Sequence, residues 1–402
     1  MKNEDRYQRE VVEPNDKASQ LASEICRQSA GNNEVIITEA GEGFRGGNLL
    51  SLNAAVLIAM LKRKMKFLIG SDGAGHKPEF HAFLKTKRAF RRLGWDLITM
   101  LADDMWTKGA LPVLISNQVD AKKVTDKNFP FVEALFEGYG KGLRQAGIIN
   151  SAGEFAIMRY AITGFPDDGS PRQLLMTWNG SCIGIIHNDL RITGKNIRPD
   201  QPIVGLWEPG MRCNGATWLI DMLLCKYNRD IKAMEKDSWA REFIEKLTIP
   251  SLSYARLMTR VMGYNADGTI GKKIVKIAGA SHNTGGGIWG KFREKLPEGI
   301  GADLHNMLSP APVLLEAQEI SWNMPGLRKT DLRMCGTTHG GYGAFVICET
   351  HRDAKDLLSQ AILRGIKANI VGWTTRSKIR EVVIESKFLQ RATVSSKQLG
   401  LR

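Results

Sequence analysis

The segment KFLIGSDGAGHK, residues 66–77, decides how the first half of this chain folds. Its apolar start predicts a buried strand that ends at Asp72, and two glycines and a lysine follow directly. Glycine lets backbone N–H groups approach a phosphate closely, while Lys77 can offset its charge and Asp72 can hold Mg²⁺. The spacing is not that of a Walker loop, and an Asp-Gly turn that merely closes a strand is the alternative.

Helix-like and strand-like stretches alternate on either side of this segment. Residues 83–110 predict one long helix that is interrupted near Gly94, and residues 111–119 predict the strand that follows it. A polar hinge at residues 188–201 precedes a second half in which the alternation resumes, ending with a short strand at residues 381–386. This alternation predicts an α/β or α+β fold of two mixed layers rather than a helical bundle.

The composition is that of an ordinary globular protein of two or three domains. The chain has 402 residues, of which 43% are hydrophobic and 24% are charged, and this argues against a disordered chain. Its six cysteines form no C-x-x-C pair and no zinc spacing, and no apolar run approaches the length of a membrane span. We therefore expect a soluble, cytoplasmic protein with reduced thiols and no membrane partner.

The net charge of +14 points to an anionic partner or to solvated helix faces. The basic residues are concentrated in helix-like stretches and in the C-terminal tail. No RNP motif, zinc finger or heptad repeat accompanies them, so the sequence does not favour nucleic acid. A phosphorylated small molecule is the partner class that we expect.

Three carboxylates in the first half are candidate magnesium ligands. Asp103 and Asp104 lie near the end of an otherwise apolar stretch, where adjacent carboxylates are costly unless they are exposed, capping or metal-bound. Gly147 is predicted to end a helix, and a short apolar pair follows it. Glu154 lies further along this stretch, and it can add a third oxygen ligand. A solvated helix end, and a glutamate without function, are the alternatives.

Three glycine-rich segments in the second half are candidate phosphate- or substrate-binding loops. The segment HNTGGG, residues 282–287, joins a predicted strand to a helix, so its amides and the Thr284 hydroxyl can hold a phosphate. Arg212 in RCNG offers a cation for a second phosphate, whereas Asn214 can equally be only a helix cap. His339 in HGGYG precedes a strand, which indicates either close backbone approach or a bulge.

In this order, the segments resemble the aminoimidazole ribonucleotide synthetase family, the phosphoribosylformylglycinamidine cyclo-ligases. The resemblance extends from about residue 41 to about residue 373 and includes the spacing between blocks. The blocks are SDGAGHK at 71–77, LITMLADD with GALP at 97–112, AGEFA at 152–156, MRCNG at 211–215, IPSLSY at 249–254, and ASHNTGGG with REKLP at 280–297. The SDGAGHK and HNTGGG blocks are the specific ones, and the others support them.

The resemblance implies a two-domain α/β fold whose N-terminal sheets pair across a homodimer. Residues 1–190 would form the ATP- and metal-binding, dimerising domain, and residues 191–402 the C-terminal α/β domain with the glycine-rich loop. It also implies ATP-dependent ring closure of formylglycinamidine ribonucleotide to aminoimidazole ribonucleotide in purine biosynthesis, with Mg²⁺. In such a reaction ATP phosphorylates the amide oxygen, and a neighbouring nitrogen then displaces the phosphate.

Matching the motifs residue by residue implies candidate roles. The catalytic set is Asp72, Lys77 and Asp104. The metal ligands would be Asp72, Asp103, Asp104 and Glu154. The ATP-binding set is Gly73, Gly75, Asp103, Asn283, Thr284, Gly285, Gly286 and Gly287. The substrate-binding set is Arg212, Asn214 and His339.

Several motif positions differ from the family pattern. Arg212 stands where the family has histidine, so a permanent cation replaces a titratable ring. Phe155 and Ile157 stand where the family has a hydroxyl and a second carboxylate, and His339 lies in a block that reads differently.

These differences leave two alternatives open. One is another ATP-using superfamily member, such as formylglycinamidine synthase, selenophosphate synthetase, thiamine-phosphate kinase or a hydrogenase-maturation protein. The other is a non-catalytic paralogue that binds nucleotide or a partner.

Overall fold

The structure is a computed structural model that describes residues 13–38, 47–327 and 331–385. Its helices are α1 (Glu13–Gln28), α2 (Ala54–Leu61), α3 (Lys77–Leu84), α4 (Lys87–Leu93), α5 (Asp96–Trp106), α6 (Phe129–Ala146), α7 (Ala216–Lys226), α8 (Ile231–Lys236), α9 (Ser238–Leu247), α10 (Ala255–Met262), α11 (Gly287–Arg293), α12 (Pro312–Ser321), α13 (Asp331–Thr337) and α14 (His351–Ile362). Its strands are β1 (Ile36–Thr38), β2 (Leu50–Leu52), β3 (Met65–Gly73), β4 (Leu111–Ala121), β5 (Ile149–Ile157), β6 (Met176–His187), β7 (Pro202–Trp207), β8 (Ile277–His282), β9 (Ile300–Leu304), β10 (Tyr342–Cys348), β11 (Ala368–Arg376) and β12 (Val382–Ile384). Most of the glycine-rich segment at 41–47 and most of the basic C-terminal tail lie outside the described residues.

A four-stranded mixed sheet organises the first half, with strand order β3-β6-β4-β5. β6 is antiparallel to both β3 and β4, and β4 is parallel to β5. The helix α5 packs against β3, β6 and β4, and every residue of α5 except Asp104 is buried. Since burial of apolar surface contributes roughly 25 cal/mol per Å², this helix is a main source of stability in the first half.

A six-stranded sheet organises the second half, with strand order β12-β9-β11-β7-β10-β8. β12 and β9 are parallel, and the other neighbours are antiparallel. β8 is therefore an edge strand, and the last residue of β8 is His282. β1 and β2 form a separate antiparallel ribbon.

The mixed α/β fold predicted from the sequence is confirmed, but the single long helix over residues 83–110 is wrong. The chain forms α3, α4 and α5 there, because Lys85 adopts a left-handed conformation with φ 51° and ends α3. The Thr86 side chain then accepts the Ala89 N–H and starts α4. A Cβ at Gly94 would lie 2.3 Å from the backbone nitrogen of Tyr139, so the chain passes α6 at close range there. Helical periodicity continues across these breaks and does not reveal them.

The strand predicted to end at Asp72 is present, but it is not buried on both faces. It lies at the edge of its sheet, and the side chains of Phe67 and Ile69 are 50% and 68% exposed. The predicted strand at 111–119 corresponds to β4, and the short strand at 381–386 to β12. The helix that was predicted to stop at Gly147 is α6, and Gly147 ends it with φ 67°.

Each of the two large sheets is formed by strands from a different half of the chain. All strands of the four-stranded sheet lie before residue 188, and all strands of the six-stranded sheet lie after residue 201. We keep the boundary between residues 190 and 191 as the proposed division into domains. Within the described ranges, no helix combines the length and the apolar character that crossing a membrane requires.

Candidate active site

The candidate site lies where the end of α5 meets the end of β8. His282 and Asp104 are joined there by a hydrogen bond of 3.0 Å between Nδ1 and Oδ1. Asp72 of β3 lies close enough to both residues for their charges to act on its carboxyl group. The structure therefore brings together two of the carboxylates assigned from the sequence, and adds a histidine from the other half of the chain.

The carboxylates of Asp72 and Asp104 occupy different electrostatic environments. Burial raises the pKa of Asp72, and the negative charge of Asp104 raises it further. Burial also acts to raise the pKa of Asp104, but the hydrogen bond from His282 and the nearby charges of Lys108 and Lys291 outweigh it, so that this pKa is lowered. Asp104 is thus held as the anion, beside a second carboxylate that is harder to ionise.

His282 has a defined tautomer because of Arg212. Its Nε2 lies 2.6 Å from Nη2 of Arg212, and a guanidinium can only donate, so Nε2 accepts. The proton of the neutral ring is then on Nδ1, and it is donated to Asp104. His282 was not among the residues assigned from the sequence, although a titratable side chain at a strand end beside a glycine triplet is a signal that could have identified it.

Arg212, assigned to substrate binding from the sequence, is the centre of a buried ionic cluster. The residue is 1% exposed. Its guanidinium donates to Glu208 Oε2 at 2.6 Å and to Asp103 Oδ2 at 3.0 Å. Burial raises the pKa of Glu208 to about 7, although the charge of Arg212 opposes this. Glu208, four positions away, and Asp103, 109 positions away, hold the cation, so it is not open to a ligand.

Asp103, assigned to metal and ATP binding from the sequence, is fully engaged by protein groups. Its Oδ1 accepts from Trp106 Nε1 at 2.9 Å and from the Tyr254 N–H at 3.0 Å, and its Oδ2 accepts from Arg212. Asp103 and Asp104 are adjacent, and successive helical side chains point about 100° apart. Only Asp104 faces the candidate site.

Lys77 joins the two halves of the protein, and its predicted catalytic role does not fit this geometry. The side chain is completely buried. Its ammonium donates to Asp96 Oδ1 at 2.7 Å and to the carbonyl oxygens of Met211 and Ile249 at 2.6 and 2.8 Å. These three acceptors use all three N–H donors of a lysine, so none remains for a phosphate.

Glu154, assigned as a third metal ligand from the sequence, lies on the opposite face of the sheet from Asp72. Strand pairing places Glu154 beside Gln118, which pairs in turn with Asn179 and then with Gly73 across the sheet. Side chains alternate between faces along a strand, so Glu154 shares a face with Ser71 rather than with Asp72. An open depression on that face is lined by both Ser71 and Glu154.

His339, assigned to substrate binding from the sequence, is buried and hydrogen-bonded within the protein. Its Nε2 donates to the carbonyl oxygen of Gly210 at 2.9 Å, and its Nδ1 accepts the N–H of Gly341 at 3.2 Å. Burial, helped by the charge of Arg212, lowers the pKa of His339 to about 3. The ring is therefore neutral, and both nitrogens are occupied.

The glycine-rich loop after β8 has an anchored base and an open tip. Asn283 is buried and bonds through its backbone N–H to Gly343 and through Nδ2 to the Tyr342 carbonyl, both at 2.8 Å, so it anchors the loop. Gly285 and Gly286 are exposed, and Thr284 is half-buried. Backbone N–H groups at such a tip are accessible to a phosphate.

Gly287 ends the open part of this loop and begins α11. It is buried, its φ is 60°, and a Cβ there would lie 2.3 Å from the Cys335 carbonyl oxygen. Any side chain would have to displace the α13 backbone, so this position requires glycine.

The loop after β3 packs against the turn that precedes α7. Gly75 has φ 53°, and a Cβ there would lie 2.5 Å from the carbonyl oxygen of Cys213. A Cβ on Gly73 would lie 2.2 Å from Asn179 Oδ1. Asn214 Oδ1 is buried and has no hydrogen-bond partner among the described residues, and its Nδ2 lies 3.6 Å from where a Cβ of Gly285 would be. The residues assigned to these three segments therefore form one continuous rim.

The donor set fits a magnesium ion that arrives with a nucleotide. Among the described residues, no group of three or more His, Cys, Asp or Glu side chains could hold a metal ion. Asp72 and Asp104 supply two carboxylates whose mutual repulsion a divalent cation would relieve. Mg²⁺ is commonly bound by one or two carboxylates together with substrate phosphates, and this pair meets that requirement.

The resemblance indicated by the motifs is confirmed by comparison with known proteins. Residues 52–186 match the family described as AIR synthase related protein, N-terminal domain. The phosphoribosylformylglycinamidine cyclo-ligase of Thermococcus kodakarensis is 30% identical over 220 residues, which are 55% of this chain and 56% of that protein. The enzyme of the same name from Trichlorobacter lovleyi is 28% identical over 342 residues, 84% of this chain and 85% of that protein. The chain is similar to these enzymes, and it spans little more than half the length of the first of these relatives.

Solved structures of other proteins share the fold. Thiamine-monophosphate kinase from Stenotrophomonas maltophilia K279a has a TM-score of 0.56 at 13% identity, over 89% of this chain and 93% of that one. E. coli HypE, a hydrogenase maturation protein, has a TM-score of 0.56 at 15% identity, over 93% of this chain and 96% of that one. At these identities the likeness establishes the architecture alone.

Proposed function

We propose that this protein is an ATP-dependent cyclo-ligase that converts formylglycinamidine ribonucleotide to aminoimidazole ribonucleotide. The names of its cyclo-ligase relatives indicate this activity. The observation that carries the proposal is the pair Asp72 and Asp104, because Asp104 is bonded to His282, which directly precedes the loop with the accessible tip Gly285–Gly286. A carboxylate pair and open backbone amides are the two elements that hold a nucleotide with its metal. We place the activity in the cytoplasm, because the six cysteines are free thiols.

The chain's own groups have defined tasks in this proposal. Asp72 and Asp104 would hold Mg²⁺, which when bound would offset the negative charge of the ATP phosphates. His282 donates its Nδ1 proton to Asp104 and so fixes the orientation of that carboxylate. The amides of Gly285 and Gly286 and the hydroxyl of Thr284 would position the phosphates, and Asn214 lies beside them. Transfer of the terminal phosphoryl group to the amide oxygen, and its displacement by nitrogen, then depend on positioning and charge.

We include a homodimer in the proposal. The face of the four-stranded sheet away from α5 carries the exposed side chains of Phe67 and Ile69, and α2 adds exposed Leu57, Ile58 and Leu61. Exposed apolar clusters of this kind mark association surfaces. The family resemblance supports pairing of two such sheets.

The test is phosphate release from ATP with Mg²⁺, with and without formylglycinamidine ribonucleotide, followed together with aminoimidazole ribonucleotide. Phosphate and product should appear one for one, and only when the ribonucleotide is present. Turnover of ATP without this substrate, or with a different acceptor, would replace the proposal with another ATP-using activity of the superfamily.

A non-catalytic nucleotide-binding protein is the second candidate, and the engagement of Lys77 and Arg212 favours it. Both cations are fixed by protein groups and cannot stabilise a transferring phosphoryl group. Saturable ATP binding without phosphate release, under conditions in which a cyclo-ligase from a relative turns over, would establish this alternative.

A further inference from the structure

A separate cavity of about 290 Å³ lies where the two halves of the chain meet the hinge between them. Lys108, which follows α5, lines it from the first half. Gly194 lines it from the hinge, and Gly279 of β8 and Lys295 after α11 line it from the second half. None of the roles proposed above assigns a ligand to this cavity.

Lysines outnumber acids around the cavity, although Glu294 is also one of the residues that line it. Lys108 and Lys295 line it, and Lys291 lies close enough to act on Lys295. Within the described ranges, no hydrogen bond or ion pair is formed by any of the three ammonium groups. Burial lowers the pKa of Lys295, and Lys108 and Lys291 lower it further, while Glu294 and Asp104 oppose them. Three uncompensated cations with only two acids nearby favour an anion.

The walls of the cavity are held in place by the hinge. The Ile192 N–H donates to the Lys108 carbonyl at 3.0 Å. A Cβ at Gly109, where φ is 88°, would lie 1.9 Å from the Leu190 carbonyl oxygen. A Cβ at Gly194 would lie 3.0 Å from the carbonyl oxygen of Lys295. Backbone contacts this close do not allow the segments to separate or slide without breaking packing, so the cavity is preformed.

Neutral donors complement the lysines. β8 is the edge strand of its sheet, so backbone groups of Gly279 and Ala280 on its outer side are not used by a neighbouring strand. The hydroxyls of Thr107 and Thr193 also line the cavity. Cations combined with N–H and O–H donors are the chemistry that recognises phosphate oxygens.

We propose that this cavity binds the phosphate of a phosphorylated sugar, as the phosphomonoester subsite of the substrate. That the sugar belongs to the ribonucleotide substrate rests on the proposed function. The volume lies just below the roughly 300–1,000 Å³ of sites for drug-sized ligands, so it fits a phosphate with a small attached group rather than a nucleoside triphosphate. The positive charges of Lys108 and Lys291 also interact with the Asp104 carboxylate. A phosphate anchored in the cavity would therefore lie next to the reaction site.

The test is direct binding of ribose 5-phosphate to the full chain by titration calorimetry, which requires no turnover. The double variant Lys108→Met, Lys295→Met should weaken binding at least tenfold, since it removes two of the three cations but retains chain length. The control Lys232→Met, Lys355→Met alters two exposed lysines elsewhere and should leave binding within about twofold. Added salt should weaken wild-type binding more than that of the double variant.

Two results would overturn the proposal. One is equal affinity for ribose 5-phosphate in the wild type and the cavity variant, or no saturable binding by the wild type. The other is loss of ATP affinity in the cavity variant with ribose 5-phosphate binding unchanged, which would assign the anion to the nucleotide. Binding of ribose 5-phosphate that depends on the lysines, in a protein that fails the phosphate-release test, would disprove the proposed reaction and leave the subsite standing.

Discussion

At the scale of single residues, the site is defined by which charged groups are already paired within the protein. Arg212 and Asp103 are joined in a buried ion pair, whereas Asp104 keeps an accessible carboxylate that is fixed by His282. A residue's type therefore identifies what chemistry it can perform, and its partners decide whether it is free to perform it. Glu208 and the pair Asp72 and Asp104 allow this distinction to be tested.

The buried carboxyl group of Glu208 should make stability depend on pH. Burial raises its pKa to about 7 from the usual value of 4.5, so the folded protein binds a proton that the unfolded chain has released. This contribution to stability is complete below pH 4.5 and is lost as pH rises through about 7. Chemical denaturation of the wild type and of Glu208→Gln between pH 4.5 and 8 measures the free energy of unfolding against pH. The variant should lose part of the slope of that dependence. An identical slope in both proteins would show that Glu208 is ionised throughout.

Asp72→Asn and Asp104→Asn should each lower turnover by about a hundredfold or more, as removal of a preorganised electrostatic group does. Neither should change the free energy of unfolding by more than about 1 kcal/mol, because both groups are only partly buried. Steady-state kinetics and denaturation measure the two effects. Asp221→Asn, on the exposed side of α7, is the matched control and should be fully active. Normal turnover in either site variant would remove that carboxylate from the mechanism.

At the scale of elements, close backbone approaches determine where the helices begin and end. The junction between α4 and α5 passes so close to α6 that only glycine fits at Gly94. This contact places α5 across the four-stranded sheet with Asp104 at its open end. The location of the site therefore depends on a packing contact far from the site itself.

Gly94→Ala should destabilise the protein by about 2–3 kcal/mol, the upper part of the range for overpacking, because its Cβ would meet backbone atoms that cannot move easily. Gly290→Ala is the control, since a Cβ there meets nothing within 4 Å, and it should stabilise α11 by up to about 1 kcal/mol. Thermal and chemical denaturation compare the two. A neutral effect of Gly94→Ala would mean that α4 and α6 lie further apart than described.

At the scale of the whole molecule, one feature joins the two halves of the chain and another bears on the proposed homodimer. Lys77 connects the first half of the chain to carbonyl groups of the second half. The outer face of the four-stranded sheet exposes apolar side chains that a second subunit would cover. The first feature concerns stability within the chain, and the second concerns association between chains.

Lys77→Met should destabilise the folded protein by roughly 3–5 kcal/mol, because it leaves the buried Asp96 carboxylate without its cation. The double variant Lys77→Met, Asp96→Asn should be less unstable than the sum of the two single variants, since it removes both charges together. Denaturation of the three variants completes the cycle. Strict additivity would contradict the ion pair, and a folded but inactive Lys77→Met protein with unchanged stability would return Lys77 to the catalytic set.

Ile69→Asp should raise the dimer dissociation constant at least tenfold, because it places a charge in the apolar face that we propose is covered by the second subunit. Sedimentation equilibrium over a range of protein concentrations measures this. Ile362→Asp, on the exposed surface of α14, should leave association unchanged. A wild-type protein that is monomeric at every concentration would contradict the proposed homodimer.

The sequence by itself was enough to predict the α/β class, several strands, the end of α6 at Gly147 and the family resemblance, because these depend on local patterns and on motif order. It also identified Asp72, Asp104 and the loop at 282–287. Only the tertiary structure shows that Lys77, Asp103, Arg212 and His339 bond to other groups of the protein. It also shows that Glu154 and Asp72 lie on opposite faces of the four-stranded sheet. Those outcomes depend on partners more than a hundred positions away, such as Met211 for Lys77, and on strand register. Local patterns do not contain that information, because burial and pairing arise only when distant segments pack together.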